Sequence, residues 1–185
     1  MKKLLLVLVV VAMLVGVGSN AFAQNLPGVA PQGSNPKNAV HLDLSWLFSG
    51  LISGGFGIGG AYERSLTPFL SLKITGGFMS VYGGTYINVL GGVRWYFLHL
   101  GVADTAVNGP FVGASGGVGI INFSYYGSSY SGVVPEILFE GGYKFTLMNG
   151  GQNGFFVEPV IGYLLAIGAV AAGGFHWGVN IGWAF

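Results

Sequence analysis

Gly173-Gly174-Phe175-His176-Trp177-Gly178-Val179-Asn180-Ile181-Gly182-Trp183-Ala184-Phe185 closes the chain, and the reading of this stretch decides the fold. Phe175, Trp177, Val179, Ile181, Trp183 and Phe185 take every second position, while His176, Gly178, Asn180, Gly182 and Ala184 fill the places between. A period of two is a β-strand with one apolar, aromatic-rich face and one small or polar face.

Outward from that strand, the same alternation recurs upstream. It predicts strands over 39–48, 55–64, 69–79, 85–97, 110–122, 133–146 and 154–166, with 173–185 as the eighth. Each is close to the 9–11 residues, roughly, that a tilted strand needs to cross a bilayer, and the number of strands is even. Gly91-Gly92-Val93-Arg94-Trp95 resembles Gly141-Gly142-Tyr143-Lys144-Phe145, as hairpin repeats would. The expected fold is all-β, a closed antiparallel eight-stranded up-and-down transmembrane β-barrel over 39–185.

Composition points the same way. Hydrophobic residues make up 52% of the chain and charged residues only 7%, against about 25% charged in an ordinary soluble domain. Beyond the first residues no apolar run approaches the roughly 20 needed for a spanning helix, so lipid has to be met by a closed barrel, the other structure that satisfies every backbone group in hydrocarbon. There are no cysteines, which excludes disulfides and thiolate metal sites. No basic face calls for nucleic acid.

Residues 1–23 carry Lys2-Lys3, an apolar run from Leu4 to Val17 and the small-x-small sequence Ala21-Phe22-Ala23. This is the pattern of a secretory signal peptide, with Gln24 as the expected mature start. Loss of Lys2 and Lys3 takes seven basic residues to five, against six acidic, a net of −1. Residues 24–38, with Pro27, Pro31 and Pro36 and no periodicity, are expected to form a flexible periplasmic segment.

Which face meets lipid follows from the second face. It is mostly Gly, Ser, Ala and Asn, a poor solvated surface but a good filling for a narrow barrel; a lipocalin-like soluble barrel is the alternative. Facing a Lys or Arg to mid-bilayer lipid costs about 2–4 kcal/mol. By parity Asp43, Glu63, Lys73, Arg94, Glu136, Glu140, Lys144 and Glu158 point inward as an interior charge network. Hairpin pairing sets Glu63 opposite Lys73 and Lys144 opposite Glu158, leaving Asp43 and Glu140 as partners for Arg94. Such a network plugs the lumen in its periplasmic half. Outward aromatics form two girdles, with Trp46, Phe48 and Trp177 at one rim and Trp95, Phe97, Tyr143, Phe145 and Trp183 at the other.

Chemistry is scarce. His41, His99 and His176 form no Ser-His-acid constellation, and the scattered acids show no metal-ligand spacing. Gly55-Phe56-Gly57-Ile58-Gly59 lies within a strand and is no phosphate loop. No catalytic, cofactor-binding or metal residues are expected, and no cofactor.

The chain resembles the eight-stranded outer-membrane β-barrel class typified by the OmpA transmembrane domain, OmpX and OmpW. The carrying features are the leader, the strand count, the inward Glu, Lys and Arg, and Trp183-Ala184-Phe185; they do not resolve the subfamily. The resemblance implies a Gram-negative outer membrane as location, with lipid and lipopolysaccharide around a monomer. It also implies that the barrel-assembly machinery reads Val179, Ile181, Trp183 and Phe185 as a C-terminal signal. The expected function is a non-enzymatic structural or surface role. A conduit for small hydrophobic molecules, as in OmpW, and a lipid A-modifying enzyme stand as alternatives. The expected outer loops, 50–54, 81–84, 124–132 and 167–173, are short; the third, with Tyr125, Tyr126 and Tyr130, is the expected contact surface.

Overall fold

Eight alternating segments pair in chain order, each antiparallel to the next, and the eighth returns to the first. The computed structural model describes residues 37–67, 69–97, 109–125, 128–148, 154–168 and 172–185. The strands among the described residues are β1 (Asn38–Asp43), β2 (Phe56–Thr67), β3 (Leu70–Val81), β4 (Gly84–Tyr96), β5 (Gly109–Tyr125), β6 (Ser128–Met148), β7 (Gly154–Ala166) and β8 (Ala172–Ala184), together with a helix, α1 (Leu44–Ile52). Phe185 and Asn38 exchange backbone hydrogen bonds of 2.8 and 2.9 Å, so the chain end itself seals the seam. The expected leader 1–23 and nearly all of segment 24–38 lie outside the described residues.

Register determines the shape. Partners followed from Ala39 through Glu63, Lys73, Gly92, Ser115, Leu138 and Leu164 end at Gly174, whereas Ala39 itself pairs with Ala184. That stagger of ten residues over eight strands tilts them about 40° to the axis, given a rise of about 3.3 Å per residue and a spacing of about 4.8 Å. At this size the interior is just wide enough for side chains to fill it.

Alternation sorts the side chains. Glu63, Lys73, Arg94, Glu136, Glu140, Lys144 and Glu158 are all buried, whereas Ile74 and Ile161 on the opposite face are 59% and 61% exposed. Trp95, Phe97, Phe145, Trp177, Val179, Trp183 and Phe185 are likewise exposed, and Tyr143 and Ile181 are half-buried.

Two segments depart from expectation. The first strand, expected over 39–48, stops at Asp43, and Leu44–Ile52 is helical. Asp43 caps this helix, its carboxylate accepting from the Ser45 N–H at 2.9 Å and from the Ser45 hydroxyl. Leu44, Leu47, Phe48 and Leu51 recur at helical spacing as well as they alternate in part; the cap decides between the two periods. As a result β2 above Gly59 and β8 above Asn180 have no β1 partner, and α1 stands in that breach of the wall. Phe48 and Leu51 on its outer side are exposed.

The third outer loop is likewise shorter than expected. β5 and β6 continue beyond the other strands until Tyr125 pairs with Ser128, so only 126 and 127, including the expected contact Tyr126, lie outside the described residues there. The β3–β4 hairpin turns on Tyr82 and Gly83, both at positive φ (38° and 79°), as a two-residue type I′ turn requires. His99 falls in 98–108, outside the described residues.

Candidate functional site

Among the described residues, the buried Glu, Lys and Arg side chains gather in the lumen. It is built on neighbouring strands whose inward positions include Gly92, Gly113, Gly117 and Gly142, leaving room for long side chains to cross. Arg94 on β4 is the hub. Its Nε donates to Glu140 at 2.8 Å, while Nη1 and Nη2 donate to Glu158 at 2.9 Å each, and Nη1 also reaches Glu63 at 3.0 Å. Lys73 donates to both Glu140 oxygens at 2.9 and 2.8 Å. Lys144 bridges Glu63 and Glu158, the latter at 3.3 Å. Ser71 and Tyr96 donate to Glu63, and Asn180 to Glu158.

Three carboxylates thus meet three cations, all buried. The Coulomb gain offsets a desolvation cost of several kcal/mol per ion only when geometry is good and remaining lone pairs are satisfied, and here nearly every oxygen has a donor. Aromatic rings underlie the cluster toward the end where Asn38 meets Phe185: the Arg94 guanidinium lies 4.1 Å from the Phe111 ring centre, and the Lys144 ammonium 4.6 Å from that of Phe156.

The pairing differs from the hairpin expectation in part. Glu63 and Lys73 are register partners, yet Lys73 turns to Glu140 and Glu63 to Arg94 and Lys144. Curvature explains this, because inward side chains of a narrow barrel converge on the axis and meet partners from across it as easily as neighbours. Lys144 does touch Glu158, and Arg94 touches Glu140. Asp43 does not join: it caps α1 and lies 3.6 Å from His176. Glu136 also stands apart, accepting from the Tyr86 hydroxyl at 2.5 Å.

Trp46 is the larger correction. Expected in an outer girdle, it projects from α1 into the lumen and stacks on Tyr86, ring centres 5.6 Å apart and planes within 11°. A Cβ at Gly59 or Gly77 would lie 2.3 Å from the indole, so only glycine admits it. Reading the segment as strand hid this residue; the helical spacing of Leu44, Leu47, Phe48 and Leu51 was the signal that could have found it.

The fold also brings Ser45, Asp43 and His176 together, which spacing did not suggest. The carboxylate sits between hydroxyl and imidazole, so no imidazole is placed to take the Ser45 proton as a hydrolytic triad requires. Among the described residues no group of three His, Cys, Asp or Glu is arranged to hold a metal ion.

No protein-family model and no curated protein matches the chain. The structure is similar to the crystal structure of the N-terminal β-barrel domain of Pseudomonas aeruginosa OprF, with a TM-score of 0.52 at 18% identity, covering 83% of this chain and 100% of that one. The likeness is one of fold: this chain is a closed eight-stranded β-barrel of the same architecture as that OprF domain.

Proposed function

We propose that the chain is an integral outer-membrane barrel of Gram-negative type with a structural or surface role, its lumen closed by its own side chains, and that it carries out no catalysis. The observation that carries this reading is the inversion of the usual soluble pattern: Leu72, Ile74, Val89, Val93, Phe139 and Ile161 are exposed on the wall while Glu63, Lys73, Arg94, Glu136, Glu140, Lys144 and Glu158 are buried. Aromatic residues exposed toward both ends of the wall suit the two membrane interfaces. The neutral network and its aromatic floor support a plug, since side chains that hydrogen-bond from wall to wall occupy the lumen at that level.

In this reading the leader is cleaved, lipid and lipopolysaccharide surround a monomer, and Val179, Ile181, Trp183 and Phe185 present the outward apolar row that the assembly machinery recognises. The test is planar-bilayer recording on the refolded protein. The expected record shows no steady conductance; a stable ohmic channel would refute the plug. Unchanged lipid A mass on expression is the matching expectation for the absence of catalysis.

One observation favours a second reading, a conduit for small hydrophobic molecules. β1 ends early and α1 replaces the missing wall between β8 and β2, so outward movement of α1 would open the lumen sideways above the plug. Uptake of a small hydrophobic dye into proteoliposomes, faster than into protein-free ones, would support it.

A further inference from the structure

Among the described residues no cationic side chain pairs with the Glu136 carboxyl group. The three cations of the lumen network are taken up by Glu63, Glu140 and Glu158, so that cluster is neutral by itself. Glu136 is 97% buried, being 3% exposed, and only one of its oxygens has a partner, the Tyr86 hydroxyl. Its Oε2 is buried with no hydrogen-bond partner. Beside it Asn88, 5% exposed, leaves its Oδ1 in the same condition. Tyr86 ties the two together, donating to Glu136 at 2.5 Å and accepting from the Asn88 amide at 3.4 Å.

The location is built for this meeting. Asn88 and Tyr86 stand on β4 and Glu136 on β6, and the intervening β5 offers Gly117 and Gly119 at the inward positions. A Cβ at Gly119 would lie 2.2 Å from the Glu136 carboxylate and 2.8 Å from the Tyr86 ring. With glycine there, side chains two strands apart approach across the gap. The result is two buried acceptors, one of them a carboxyl oxygen, with no hydrogen-bond donor among the described residues. Buried polar atoms without partners are costly and call for an explanation.

We propose that Glu136, Asn88 and Tyr86 form a binding site for one monovalent metal cation of the sodium type, with Glu136 Oε2 and Asn88 Oδ1 as its donors. Hard oxygen donors exclude soft metals. A single carboxylate, with every other nearby acid committed elsewhere, does not match the several charged ligands that calcium takes or the octahedral, water-rich shell of magnesium. Bound there, the cation neutralises Glu136 and polarises the Tyr86 phenol, on which Trp46 stacks. Occupancy is therefore reported at α1 through that ring.

Trp46 makes the site observable. Trp95, Trp177 and Trp183 face outward, so of the four indoles only that of Trp46 touches the lumen cluster. In nanodiscs, sodium chloride titrated against choline chloride at constant ionic strength should shift the Trp46 indole N–H resonance saturably and leave the other three unmoved. Glu136→Gln should abolish the saturable shift, and Asn88→Ala should weaken the apparent affinity at least tenfold; the resonance of Trp46 is assigned by its loss in Trp46→Phe. A Trp46 resonance indifferent to sodium in the wild type would overturn the site. So would a shift that persists in Glu136→Gln, or one that follows pH at fixed sodium and ignores sodium at fixed pH, which would place a shared proton where the metal is proposed. The wild-type titration decides the matter even where a variant fails to refold.

Discussion

At the scale of the residue, Arg94 carries more of the interior than any other side chain, because its planar fork reaches all three network carboxylates at once. Arg94→Ala leaves the three network glutamates, Glu63, Glu140 and Glu158, against two lysines. The expected cost is about 3–5 kcal/mol, read from urea unfolding in detergent micelles or lipid. Lys144 poses a sharper question, since its loss also breaks neutrality but a second change can restore it. Lys144→Ala should destabilise more than Lys144→Ala combined with Glu158→Ala, with a coupling of about 1 kcal/mol or more in the double-mutant cycle. Purely additive costs would mean that the cluster does not act as one electrostatic unit. The inward position of these residues was legible from parity alone. Their partners were not, because parity says which face a side chain takes and nothing about which strand stands across the lumen.

At the scale of the element, α1 shows how a short apolar run defeats periodicity. Leu44–Ile52 fits a strand and a helix about equally, and nine residues are too few for either period to dominate. Asp43 settles the choice locally, but the helix is kept in place by Trp46, which needs the space left by Gly59 and Gly77. Gly77→Val should therefore expel the indole and loosen α1 without breaking the β3 ladder. We expect a loss of about 1–3 kcal/mol, the range for overpacking, together with faster protease cleavage near Leu51 than in the wild type. Cleavage at the wild-type rate would show that the indole does not anchor the helix. The same limit of local reading applies to the β5–β6 hairpin: Ser, Tyr and Gly at 124–132 look like loop, yet cross-strand pairing already established below carries the ladder out to Tyr125 and Ser128.

At the scale of the whole molecule, the distinction between membrane and soluble barrel rests on what surrounds the wall. Ile74 sits mid-strand on β3 and is 59% exposed. Ile74→Lys should cost about 2–4 kcal/mol if acyl chains cover it, but stay within about 0.5 kcal/mol if water does, as for ordinary surface changes. Unfolding titrations of the refolded protein in lipid vesicles measure the difference directly. A near-neutral result would remove the membrane from the account of this wall, whatever the shape of the barrel.

By itself the sequence determined the number of strands, their order and which face of each turns inward, because a period of two is a local property that every strand carries in its own residues. It also pointed Lys73, Arg94, Lys144 and the glutamates they meet to the inner face. Only the tertiary structure decided the ten-residue stagger, the choice of Arg94 as hub, the turn of Lys73 away from its register partner, and the entry of Trp46 into the lumen. Each of these depends on closure: once the sheet meets itself, residues far apart in the chain converge on a common axis, and the space that glycines leave there selects which of them touch.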